Sequence, residues 1–73
     1  MQTDPGTSRE LFALIGFISA WRGATRELTV RGRDLVLGAS VPTVGVAAGV
    51  RVVVAGYHDP VTARMVVTAL RVD

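Results

Sequence analysis

The run Gly49-Val50-Arg51-Val52-Val53-Val54-Ala55-Gly56-Tyr57 decides the architecture. Its β-branched valines suit a packed, pleated strand, and its glycines supply points at which a strand bends or ends. Alternation places Val50, Val52 and Val54 on one face, expected to be core, and Arg51, Val53, Ala55 and Tyr57 on the other. The second face is not polar, so this strand has apolar residues to cover on both sides.

Downstream, His58, Asp59 and Pro60 read as a tight turn, and Val61 to Val72 as the last strand. Strict alternation fails there, because Met65 and Val67 share one face while Leu70 and Val72 fall in the opposite register. A β-bulge near Thr68 and Ala69 would return all four to the core side. Upstream, Gly38 to Gly49 contains Pro42, Gly45, Ala47 and Ala48, which suits a crossing connection with at most one helical turn. Before it, Glu27 to Arg31 alternates cleanly, with Leu28 and Val30 on one face and Thr29 and Arg31 on the other. Gly32, Arg33 and Asp34 then read as a turn leading into Leu35 to Leu37, so residues 27–38 form a hairpin.

The segment Arg9 to Arg22 admits two conformations. Leu11, Leu14, Ile15 and Ile18 fit a helical stripe, Thr7 with Glu10 fits a capping box, and Gly23 fits a helix stop. Phe12, Phe17 and Trp21 would make that helix apolar on nearly every side, however, and Gly16 would weaken its middle by about 1 kcal/mol relative to alanine. A long strand bent at Gly16 accounts for the same residues better. The expected fold is therefore all-β, a small five-stranded barrel over residues 9–73 preceded by a flexible tail at residues 1–8. The alternative is an N-terminal helix packed on a four-stranded antiparallel sheet.

Five strands at about 11–22, 27–31, 35–38, 50–57 and 61–72, with the longest connection between the third and fourth, resemble the oligonucleotide/oligosaccharide-binding (OB) fold. Three runs carry a closer likeness: Leu28-Thr-Val-Arg-Gly-Arg-Asp-Leu-Val-Leu37, Ala48-Gly-Val-Arg-Val-Val-Val-Ala-Gly56 and Met65-Val-Val-Thr-Ala-Leu-Arg-Val72. In hydrophobic spacing and glycines, residues 27–72 resemble a group of small bacterial OB-like barrel domains of uncharacterised function. The resemblance implies that ligands meet the outer face of strands two and three, the loop between strands one and two, and the loop between strands four and five. Those regions hold Trp21, Arg22 and Arg26, then Thr29, Arg31 and Arg33 on the hairpin, and Tyr57 with His58 at the last turn. An implied single-strand nucleic-acid site would combine cations from Arg22, Arg26, Arg31 and Arg33 with stacking on Trp21 and Tyr57. Each also has a plainer role: Trp21 as an edge of the core, Tyr57 as a strand cover, and the arginines and His58 as solvated surface.

Composition bounds the remaining choices. A chain of 73 residues makes one domain at most and buries only about 60% of its unfolded surface. With no cysteine, neither a disulfide nor a thiolate metal site reinforces that small core. Its 49% hydrophobic content rules out disorder, and the surplus over what so small a barrel can bury suggests oligomerisation. All eight basic residues are arginine, and the formal charge of +2 permits an anionic partner without requiring one. The longest apolar run, Leu11 to Trp21, is too short to span a membrane as a helix, and the acidic start does not read as a secretory signal. A cytoplasmic location is expected.

One histidine, no cysteine and two distant glutamates offer no nucleophile–base pair or metal-ligand set, so neither catalysis nor a cofactor is expected. Two non-enzymatic classes remain. The first is weak, sequence-tolerant binding of single-stranded DNA or RNA. The second is a structural subunit of a homo-oligomer or larger protein assembly, suggested by Val53 and Ala55 on the outer face of the central strand.

Overall fold

The computed structural model describes residues 10–73. The expected tail at residues 1–8 lies outside the described residues. Five strands follow in order: β1 (Glu10–Arg22), β2 (Glu27–Val30), β3 (Arg33–Leu37), β4 (Arg51–Asp59) and β5 (Arg64–Val72). They hydrogen-bond in the order β1-β2-β3-β5-β4 and close into a barrel. The β3–β5 pair is parallel and the others are antiparallel. The chain is a small all-β, five-stranded OB-like barrel, and its first segment is strand rather than helix.

Period-two burial explains why β1 is extended. Phe12, Leu14, Gly16 and Ile18 turn inward, while Leu11, Ala13, Ile15 and Phe17 turn out. A helix would instead have scattered these apolar side chains around its whole circumference. The strand serves two neighbours in succession: Glu10 to Phe17 pair with β4, and Ile18 to Arg22 pair with β2. At the changeover Ser19 is an extra residue, since Ile18 faces Val30 and Ala20 faces Thr29. This bulge turns Trp21 to the core side opposite Leu28.

The core comprises Ile18, Leu28, Val30, Leu35, Leu37, Val52, Val54 and Val67, with Val41 and Val46 added by the long connection. Phe12, Leu14, Trp21, Val50, Met65 and Leu70 pack around it, each partly buried. The bulge expected in the last strand is present. Ala55 faces Ala69 and Gly56 faces Val67, which leaves Thr68 as the extra residue. Met65, Val67 and Leu70 thereby reach the core side, whereas Val72 at the strand end stays 44% exposed. Gly56 sits at this crossing for steric reasons, because a Cβ there would lie 1.8 Å from the Val66 carbonyl oxygen.

Both hairpin turns differ in position from the sequence expectation. The first hairpin turns at Arg31 and Gly32, with φ of 54° and 76°, so Val30 faces Arg33 directly. Two consecutive positive φ values characterise the type I′ turn, whose twist matches that of the flanking strands. Arg33 and Asp34 accordingly belong to β3 rather than to the turn. At the second hairpin, His58 and Asp59 stay in β4 and the turn occupies residues 60–63. The Asp59 carboxylate accepts the Val61 amide at 2.9 Å, and Ala63 takes a φ of 59° to bring the chain back into β5 at Arg64.

Residues 38–50 form no helical turn. Instead, Val41 N donates to Gly38 O, Val46 N to Thr43 O and Val50 N to Ala47 O, giving successive tight turns. Pro42 and the glycines suit such turns, which let Val41 and Val46 close one end of the barrel.

Replacing Val54, fully buried at the centre of β4, should reveal the worth of this core. Val54→Ala is expected to lower the unfolding free energy by about 1–3 kcal/mol in urea denaturation, through lost burial and a residual cavity. An unchanged midpoint would contradict the inward assignment.

Candidate interaction surfaces

The outside of the barrel has two unlike halves. Across β2, β3 and the start of β5 the surface carries polar groups that engage one another. Glu27 on β2 accepts hydrogen bonds from Thr25 and from the Arg64 guanidinium, which crosses over β3 from the start of β5. Arg22 reaches the same carboxylate at 3.5 Å. Beside them the Thr29 hydroxyl donates to Asp34, and the Ser19 hydroxyl to the Thr29 carbonyl. The Arg64 hydrogen bond, followed by that from Thr25, holds the Glu27 carboxyl below the usual carboxylate range. The pair is exposed, so its contribution to stability is small and screened by salt.

Arg26 has a structural role. Its Nη2 donates to the carbonyl of Gly38 at 2.8 Å and also to that of Val41, while its own carbonyl accepts the Leu37 amide at 2.8 Å. It therefore ties the β1–β2 loop to the start of the long connection, taking a φ of 58° to do so. The Nε atom is buried without a hydrogen-bond partner among the described residues.

Of the six residues named for a nucleic-acid site, Trp21, Arg22 and Arg26 gather at the end of the barrel that the connection closes. Arg31, Arg33 and Tyr57 lie toward the other end, as the antiparallel register of β1 with β4 requires. Trp21 is half-buried against the core. Arg31 lays its aliphatic stem over Gly16, where a Cβ would meet its Cγ at 2.8 Å. Arg33 lines a depression of ≈ 290 Å³ with Glu10, Leu11, Phe12, His58 and Met65 at the second end. Tyr57 is half-buried on β4 between Leu11 of β1 and Val66 of β5.

The opposite half of the exterior is apolar. Leu11, Ala13, Ile15 and Phe17 alternate outward along β1, and the register sets them beside Tyr57, Ala55, Val53 and Arg51 of β4 in that order. Ala69 and Arg71 of β5 extend the row, and a shallow depression of ≈ 210 Å³ opens among Val53, Ala55, Ala69 and Arg71. Leu11 is 83% exposed, Ile15 50% and Phe17 64%. Among the described residues, charge enters this face with Arg51, paired to Asp73 at 3.2 Å, and with Arg71, which faces Val53. Val53 and Ala55 marked part of this face in the sequence. Leu11, Ala13, Ile15 and Phe17 carry most of it, and their alternation with Phe12, Leu14 and Ile18 concealed which of the two apolar sets faces out.

The chain matches no protein-family model, no curated protein and no solved structure.

The Glu27 cluster gives a pH-dependent prediction. A carboxyl whose folded pKa is lowered contributes stability above its unfolded pKa and loses it as pH falls through the folded value. Arg64→Ala should therefore raise the Glu27 titration midpoint toward the ordinary glutamate value, followed by NMR of the side-chain carboxyl carbon below about pH 5. A midpoint that does not move would mean that Arg64 is not the group holding it down.

Proposed function

We propose that this protein is a non-enzymatic structural subunit that assembles with protein, its own copies included, through the outer face of β1 and β4. The observation that carries this proposal is the uninterrupted apolar row Leu11, Ala13, Ile15, Phe17 with Val53 and Ala55 beside it. A contiguous exposed apolar patch rimmed by polar groups marks an interaction site, unlike apolar residues scattered singly over a surface. Along β1 no arginine breaks the row from Leu11 to Phe17. The barrel gains stability by covering this face, and it has no covalent staple to compensate for leaving the face bare.

A second use, weak binding of single-stranded nucleic acid, draws on the likeness of residues 27–72 to small bacterial OB-like domains. Arg33 is the specific observation in its favour. It borders an open depression and makes no ion pair among the described residues. Arg26 and Trp21 contribute less, being engaged with loop carbonyls and with the core.

Sedimentation at micromolar concentration should show a species larger than the monomer, and Val53→Arg should reduce its mass while the strand signature in circular dichroism persists. A strict monomer across that range would overturn the assembly proposal. In parallel, a labelled oligonucleotide at about 50 mM salt, which favours electrostatic contacts, should give no saturable signal. Saturable binding by a monomer, weakened by Arg33→Ala, would put the nucleic-acid use first.

A further inference from the structure

Among the described residues, half of β1 has a free edge. Its pairing with β4 covers Glu10 to Phe17, whereas its pairing with β2 begins only at Ile18, and β1 contacts neither β3 nor β5. Which backbone groups are left over follows from the bonds at Ile18. The Ile18 amide donates to Val50 O at 2.8 Å, and its carbonyl accepts the Gly49 amide at 2.7 Å, so both groups of Ile18 point to the β4 side. Successive residues of a strand alternate in direction. Phe12, Leu14 and Gly16 therefore bond β4, and the amides and carbonyls of Leu11, Ala13 and Ile15 point the other way. No turn or loop among the described residues bonds to those six groups. Phe12 and Leu14 remain only partly buried, although equivalent inward residues in the closed part of the barrel, Ile18 and Val30, are buried completely.

Such an edge is a template for another strand, and sequences that avoid strand addition usually place a charge or proline on it. From Leu11 to Ile18 this edge has neither. We infer that the occupant is a second copy of the same strand, added antiparallel about a two-fold axis through Ala13. This inference rests on the assembly proposed above and adds to its apolar face a second contact, along the edge of β1.

Self-complementarity singles out that partner. With Ala13 facing its own counterpart, Leu11 of one copy faces Ile15 of the other, and the six groups of each copy satisfy the six of its mate as three hydrogen-bonded residue pairs. On the outer face, the small alanines meet at the axis and a Leu–Ile pair flanks them on either side. On the inner face, Phe12 comes opposite Leu14 of the second copy. One step further, Gly16 comes opposite Glu10 of the second copy, beside the Arg31 stem that lies over Gly16. Arg31 has no ion pair among the described residues, so the same register supplies it with a carboxylate. The two apolar outer faces then lie on one side of a continuous sheet.

Amide hydrogen exchange read residue by residue, on the unmodified protein at high and low concentration, tests this geometry. Phe12 and Leu14 should be protected at both concentrations by β4. Leu11, Ala13 and Ile15 should exchange about tenfold or more slowly at the higher concentration. Ala13→Pro, which removes only an edge-facing amide, should abolish that difference at Leu11 and Ile15 while circular dichroism keeps its strand signature. As a second probe, a short bismaleimide should join Ala13→Cys into a covalent dimer but not the loop variant Ala24→Cys, since the chain has no cysteine of its own. An oligomer whose Leu11, Ala13 and Ile15 amides exchange quickly at every concentration overturns the edge contact and leaves the apolar-face proposal standing. A dimer that keeps the alternate protection but is indifferent to Val53→Arg supports the edge and overturns the face. A strict monomer overturns both.

Discussion

A strand that must serve two neighbours in turn is the constraint on which this barrel depends. One strand cannot keep a single inward face along its whole length while it bends from β4 to β2, and the extra residue at Ser19 resolves the conflict. Before the bulge Ile18 points to the core, and after it Trp21 does, although they stand three positions apart and regular alternation would turn one of them out. The bulge at Thr68 performs the same correction on β5, where the sheet closes against β4. Both devices increase local twist, which a sheet of only five strands needs in order to close. Gly56 marks how tight the closure is, since the Val66 carbonyl occupies the space that a side chain would take.

The same constraint divides the exterior. Where β2 and β3 complete the wall, short strands and a two-residue turn present threonine, aspartate and glutamate, and the arginines in reach pair with them. Where β1 runs alone beside β4, both faces of the strand are apolar. That contrast has a physical explanation in covering. A polar outer face can end in water, but Leu11, Ile15 and Phe17 gain by being covered, and the edge of the same segment has backbone groups without partners among the described residues, which gain from an added strand. The apolar face and the open edge thus coincide on one segment of chain.

Much of the fold was legible in the sequence because it rested on local rules. The Leu28–Val30 alternation, the Val50–Val54 run and the broken phase between Val67 and Leu70 each have one comfortable packing, and each is realised. Turn positions were read less well. Arg31 adopts a left-handed backbone that glycine or asparagine more often takes, so Gly32 drew the expected turn one residue too late. His58 and Asp59 look like turn residues, yet the pairing of β4 with β1 and β5 holds them in strand. The candidate site was legible only as far as location on the chain. That Arg26 is committed to the carbonyls of Gly38 and Val41, and that Glu27 gathers Arg22 and Arg64, depends on contacts between segments far apart in sequence, for which spacing provides no signal.

The arginine-only complement acquires meaning in this setting. Arg26 spans from a loop to two carbonyls, Arg64 crosses a whole strand to reach Glu27, and the Arg31 stem covers a glycine with methylene groups while its charged end remains outside. Each task requires a long apolar stem with a forked donor at its tip, which arginine provides and a point-charged ammonium provides less well. Arg26 and Arg64, used in this way, secure the barrel to itself and subtract from the charge available to an anionic ligand. Among the described residues, what the barrel leaves without a counterpart is chiefly apolar surface and strand edge. Those are complements of protein more than of phosphate, and this balance, rather than the net charge, favours assembly as the use of the fold.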